Sequence, residues 1–128
     1  MVRSREEGAA AVEFALLLPV ILLLVFGMID FGIWLNQKIT ATDAAKQGLR
    51  TYMYWDNAAQ KEEKGLAVIR EVTGVTITDY TFSACSDLGT TGVKTAHLRF
   101  SYKSKAMVIL PGLADVTISG TADIPCVE

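Results

Sequence analysis

The sequence holds few of the residues that most catalytic and metal chemistry draws on. Histidine occurs once, as His97, and cysteine twice, as Cys85 and Cys126. Two cysteines 41 positions apart do not have zinc-ligand spacing. There is no H-E-x-x-H, no phosphate-cradling glycine loop and no G-x-S-x-G nucleophile turn. Charge of one sign is also lacking: the net value is −2 and no basic stripe exists, which argues against a nucleic-acid partner. These absences exclude the usual signatures of an enzyme, and no cofactor, metal or small-molecule substrate is expected. Proline is missing from residues 20–110 and charge from residues 14–29. Both gaps point to one long uninterrupted helix near the start of the chain.

That helix is the stretch GAAAVEFALLLPVILLLVFGMIDFGIWL, residues 8–35. It is apolar all round, whereas a core helix has an apolar stripe and a polar back. Its charge-free part alone gives ~24 Å at ~1.5 Å per residue, and counting from Ala9 to Leu35 exceeds the ~30 Å hydrocarbon core. Residues 9–35 are therefore expected to span a membrane. Arg3 and Arg5 precede the span, so residues 1–8 are expected to stay cytoplasmic and the remainder to be exported. A removable secretory signal is disfavoured, because MIDFGIWL follows the run where small residues would mark a cleavage site. Pro19 predicts a kink or local loosening. Gly27 and Gly32 thin the outer end, either for helix packing or as residues common in membrane helices. Trp34 falls at the outer interface.

Beyond Asn36 the helical period continues through Leu35, Ile39, Thr42, Ala45, Leu49, Tyr52 and Met53 as an apolar face. Lys38, Asp43, Lys46 and Arg50 lie mostly on the other side. Residues 36–74 are read as a helical stalk whose first helix runs to about Trp55. A second helix, AAQKEEKGLAVIREV, is capped by Asp56 or Asn57 and ends near Gly74. Residues 75–128 read as a small β domain. Val75 and Ile77 change parity to Tyr80 and Phe82, which places a bulge near Thr78 and Asp79. Two further strands run through Ala96, Leu98, Phe100, Tyr102 and through Val116, Ile118, Gly120, Ala122, Ile124. The fold class is thus α+β: a transmembrane helix continuing into an amphipathic stalk, with a three-stranded antiparallel sheet packed on helix. AMVILPGL, residues 106–113, is greasy for a loop and is expected to tuck under the sheet in preference to forming an exposed patch. His97 falls on the polar parity of its strand beside Arg99 and reads as a surface histidine.

An even cysteine count in an exported domain suggests a Cys85–Cys126 disulfide. It would close a 40-odd-residue loop, worth roughly 3–4 kcal/mol. Cys126 shares the inward parity of its strand, but Cys85 follows Phe82 by three and is off parity. Glu13 is the remaining anomaly. A carboxylate at the start of a span either snorkels to the headgroups or finds a partner. Cutting after Gly8 would leave a new amine at Ala9, and Glu13 of an adjacent copy could pair with it on assembly.

The run from Gly8 through Glu13 and Phe14 into the span resembles the N-terminus of type IV prepilin-like proteins. More closely, EGAAAVEFALLLPVILLLVFGMIDFG is similar to the TadE-like family of the Tad/Flp pilus system. AAKQGLR, residues 44–50, is similar to the AAREGAR-type segment that follows the membrane helix in that family. The resemblance implies a non-enzymatic minor pilin or pseudopilin, whose partners are the membrane, a prepilin peptidase and other pilins. It also assigns roles: Gly8 before the cut, Ala9 as the new N-terminus, Glu13 in processing or assembly, Phe14 at a commonly aromatic position. Glu6 and Glu7 depart from the basic residues common there. The competing expectation is an unprocessed single-pass anchor with a binding domain outside the cell.

Overall fold

The computed structural model describes the backbone of residues 3–87, 93–104 and 116–126, and the side chains of 8–86, 93–104 and 116–126. The greasy stretch 106–113 lies outside the described residues. The first element, α1, is a single helix over Arg3–Tyr54. It continues through Pro19, where the kink or local loosening was expected, as one unbroken helix. Residues 9–35 and the helical residues that follow them are thus one continuous element, since nothing between Gly8 and Tyr54 opposes helix strongly enough to end it.

A turn follows. The Asn57 carboxamide oxygen accepts from the Ala59 N–H at 3.0 Å, and the Asn57 carbonyl accepts from Gln60 and Lys61 at 3.0 and 3.1 Å. This local bonding competes with helix, so α2 begins at Lys61, three residues later than the sequence pattern implied. It spans Lys61–Thr73. Gly74 ends it with φ 70°, its N–H donating to the Arg70 carbonyl at 2.8 Å. Only glycine enters that left-handed conformation freely.

Three strands complete the chain: β1 over Asp79–Asp87, β2 over Lys94–Ser104 and β3 over Val116–Pro125, an antiparallel meander in the order β1-β2-β3. Residues 75–78 are not strand, although Ile77 is buried. The parity change at Thr78 and Asp79 therefore marks the start of β1, not a bulge. The irregularity lies further on: Ser83 pairs with His97 and Ser86 with Thr95, so Ala84 and Cys85 together oppose Ala96. An extra residue on one strand reverses side-chain parity beyond it.

Both helices cover one face of the sheet, which supplies Ala96, Leu98, Phe100, Ile118 and Ala122. From α1 come Ala41, Ala44, Ala45, Leu49 and Tyr52, and from α2 Ile69. Leu49, Ile69, Leu98, Phe100 and Ile118 are fully buried, each contributing roughly 1.5–3 kcal/mol. The buried face of α1 is rotated from the stripe of large residues: Leu35 and Ile39 are 44% and 55% exposed. Small residues occupy the seam instead because the backbones approach closely. A Cβ on Gly48 would come within 2.6 Å of the Ile69 side chain, and one on Gly65 within 3.0 Å of both the Gly48 carbonyl and the Phe82 ring. Lys38, expected to face away, points to the sheet.

Candidate functional site

The residues singled out at the N-terminal end sit on an open helix. Gly8, Ala9, Glu13 and Phe14 are exposed, as is the apolar surface from Val12 to Leu35. A Cβ added at Gly8, Gly27 or Gly32 would meet nothing within 4 Å. So wide an apolar surface is stable only against lipid or neighbouring protein. By length and composition α1 is able to cross a membrane. Gly8 and Glu13 are five residues apart, about 7.5 Å along the axis and well round the helix from each other. Within one chain they do not form a joint site.

The other pair singled out lies in β1 and just beyond β3. Cys85 and Cys126 are joined, with Cα atoms 6.1 Å apart. The extra residue at Ala84–Cys85 turns Cys85 onto the side from which it reaches Cys126. The Cys126 N–H donates to the Lys94 carbonyl at 2.8 Å, which continues the β2–β3 ladder one residue past β3. The bond thus ties β1 to the end of β3 across β2.

His97 has a partner that its neighbourhood in sequence did not reveal. Its Nδ1 is 2.5 Å from Asp123 Oδ1, and the register sets Ser83, His97 and Asp123 in one row across the three strands. The order resembles a nucleophile–base–acid series, yet the Ser83 hydroxyl donates to the Ala84 carbonyl at 3.4 Å, not to His97. Asp123 is exposed and the row crosses an open sheet face. A hydrolytic site needs donors for a developing oxyanion and a wall that excludes water; this row has a hydrogen-bonded surface pair. Among the described residues no group of three His, Cys, Asp or Glu side chains gathers to hold a metal.

Lys38 is the residue that sequence reasoning misplaced most usefully. Its Nζ donates to the Ser119 carbonyl at 2.6 Å and to the Ser119 hydroxyl at 2.8 Å. One residue on, Gly120 packs against the Ala41 carbonyl of α1, with a Cβ there also falling 2.7 Å from the Phe100 ring. Lysine and glycine together lock β3 onto α1 just beyond the apolar surface. The signal in the sequence was the spacing of Ala41, Ala45 and Gly48, a small-residue seam inside a helix that otherwise favours large apolar residues.

Comparison with curated proteins and with solved structures gives no match. A family model does match, over residues 8–50, and it covers the exposed apolar helix together with the small-residue seam against which α2 and β3 pack. That model is described as TadE-like protein, and α1 from Gly8 to Arg50 is accordingly a TadE-like segment.

Proposed function

We propose that this chain is a minor pilin or pseudopilin that acts in assembly of a Tad/Flp-type pilus and carries out no catalysis of its own. The observation that carries the reading is the match over residues 8–50, which joins an exposed apolar helix to a packed seam in one family segment. In this reading residues 9–35 anchor the chain, residues 1–8 are a cytoplasmic leader, and the head from residue 36 onward lies outside the cytoplasm. A prepilin peptidase cuts after Gly8. Glycine in a helix costs about 1 kcal/mol relative to alanine, so the peptide bond at Gly8 is easier to open for an enzyme that requires extended backbone. Glu13 then offers its carboxylate to the amine of Ala9 on a neighbouring copy, neutralising both charges as helices stack, with Phe14 packing beside it.

The deciding experiment is the N-terminal sequence of the protein purified from membranes. A mature chain beginning at Ala9 is expected, and any other start removes the processing claim. Glu13→Ala is expected to impair processing or incorporation while the protein still accumulates in the membrane. A second reading, an unprocessed anchor with an extracytoplasmic binding head, draws on β1. Its outer edge, Asp79 to Ser83, pairs with nothing besides β2 among the described residues, and such an edge accepts an added strand. Under that reading Glu13→Ala leaves surface display and assembly unchanged.

A further inference from the structure

The sheet has two outer edges, and the register shows what each one offers. The Cys126 N–H donates to the Lys94 carbonyl, so these two residues sit at hydrogen-bonded positions of the β2–β3 ladder. Such positions alternate along an antiparallel pair. The even-numbered residues of β3 therefore turn their main chain towards β2, whereas Ser119, Thr121 and Pro125 turn theirs outward. Across β2 the same alternation aims Asp79, Thr81 and Ser83 at β2 and leaves Tyr80 and Phe82 facing outward. The β3 edge is closed at two places. Lys38 sets its ammonium on the outward Ser119 carbonyl at 2.6 Å and on the Ser119 hydroxyl at 2.8 Å. Ser119 alternates with buried Ile118 and Gly120, so Lys38 reaches it round the edge. Pro125 has no N–H to offer. Lysine and proline are residues that blunt an exposed edge. β1 contains neither, and the outward main chain of Tyr80 and Phe82 bonds to nothing among the described residues.

The direction of α1 decides which pairings two anchored chains can make. β1 and β3 run the same way, being first and third in an antiparallel meander. α1 advances with them: Lys38 meets Ser119, and Tyr52, further on, stacks on Phe82 and shares a cavity with Cys85 and Ala96. Two copies joined β1 to β1 would be antiparallel, with their apolar helices pointing in opposite directions, so heads on one side of a bilayer cannot pair that way. β1 of one chain beside β3 of a second runs parallel and keeps both helices in one direction. A parallel pair also joins outward residues from opposite faces, and these edges supply them: Tyr80 and Phe82 share the helix-covered face, Ser119 and Thr121 the open one. That pairing needs the Ser119 carbonyl, which Lys38 holds.

We propose that β1 docks the parallel edge strand of an unlike chain anchored in the same bilayer, and that Lys38 bars copies of this chain from that place. The proposal rests on the membrane-anchor reading. It gives the β1 edge a definite occupant, a neighbouring head whose outward strand carries no such lysine.

A copy stripped of its lysine is such a chain, and it serves as the probe. The full chain with a photoreactive benzoylphenylalanine at position 81, exposed beside Tyr80, is reconstituted into vesicles with an isotope-labelled second copy. After irradiation, mass spectrometry maps the cross-links between the two. With an unchanged second copy they are expected to stay at background. With Lys38→Met in the second copy, or Lys38→Ala where the first variant does not melt cooperatively, they should rise about tenfold and map to residues 117–121, as one regained main-chain acceptor supplies. Tyr80→Pro in the photoreactive copy deletes an outward N–H and spares the β1–β2 bonds, and it is expected to return the signal to background. Failure of the chain to float with the vesicles overturns the anchor. Flotation with no difference between unchanged and lysine-free copies, or a signal that survives Tyr80→Pro, overturns the docking and leaves the anchor standing.

Discussion

Gly120 and Gly27 show how different two glycines of one chain can be. At Gly120 the α1 backbone and the Phe100 ring occupy the space a methyl group would need, the ring lying 2.7 Å from an added Cβ. Neither a carbonyl in a packed helix nor a fully buried ring can yield cheaply, so Gly120→Ala is expected to cost about 1–3 kcal/mol, read as a lowered melting temperature in detergent. At Gly27 nothing lies within 4 Å. Gly27→Ala should leave the isolated chain as stable or up to about 1 kcal/mol more so, and a defect confined to assembly would locate a helix partner at that face. Tyr102 makes a prediction of a different kind. Burial raises its folded-state value above the ordinary 10.0, so the folded chain holds the proton more tightly than the unfolded chain. Its contribution is fully present below pH 10 and is lost as pH rises above that value, because the unfolded state then binds fewer protons. Denaturation at successive alkaline pH values should show stability falling in that window, with a smaller fall in Tyr102→Phe.

At the scale of elements, the extra residue between Ser83 and Ser86 decides what the sequence could and could not reveal. Alternation along Ala96 to Tyr102 and Val116 to Ile124 was enough to place β2 and β3, because one buried face imposes a strict period of two. The apolar run and Gly74 likewise announced the exposed apolar part of α1 and where α2 stops. Parity failed in β1, where Ile77 is buried from a loop and Cys85 follows two residues set against Ala96 alone. A bulge leaves no composition signal here, since Ala84 and Cys85 are ordinary strand residues. Lys38 escaped for a related reason: a charged side chain was assigned to solvent, whereas its length lets the stem cross apolar surface and deliver the ammonium to a strand edge. Gly8, Ala9, Glu13 and Phe14 were singled out through a resemblance, and the roles proposed for them involve a second molecule. The Cys85–Cys126 bond closes a loop with a separation of 41 residues, worth about 4 kcal/mol in the loop-entropy model. Alkylation without reduction should therefore leave both cysteines unlabelled, and Cys126→Ser should lower stability by about that amount. Two labelled thiols in the native protein would refute the bond.

Across the whole molecule, the division of labour along α1 can be tested by cutting it. The buried residues of α1 begin at Ala41, and Lys38 is hydrogen-bonded to Ser119 of the sheet. Before that point the large apolar side chains from Val12 to Leu35 are exposed, apart from half-buried Ile33. Among the described residues the head's core thus draws nothing from the span: α2, the sheet and the outer half of α1 enclose Leu49, Ile69, Leu98, Phe100 and Ile118. What the head loses on removal of residues 1–35 is the helix N-terminal to Asn36, whose hydrogen bonds stabilise the first turn of the remainder. Fraying of about one turn would reach the Thr40 hydroxyl bond to the Asn36 carbonyl, and Lys38 with it, but not Ala41. A chain of residues 36–128 is therefore expected to be soluble and folded, with the disulfide intact and a melting temperature a few degrees below that of the full chain. Restoring a capping Asp or Ser immediately before residue 36 should recover part of the difference, worth about 1 kcal/mol. Circular dichroism, gel filtration and dye binding check this. A truncated chain that binds hydrophobic dye and lacks a cooperative transition would mean that the span is needed to fold the head, and that α1 is not divided at Lys38 into an anchor and a core helix.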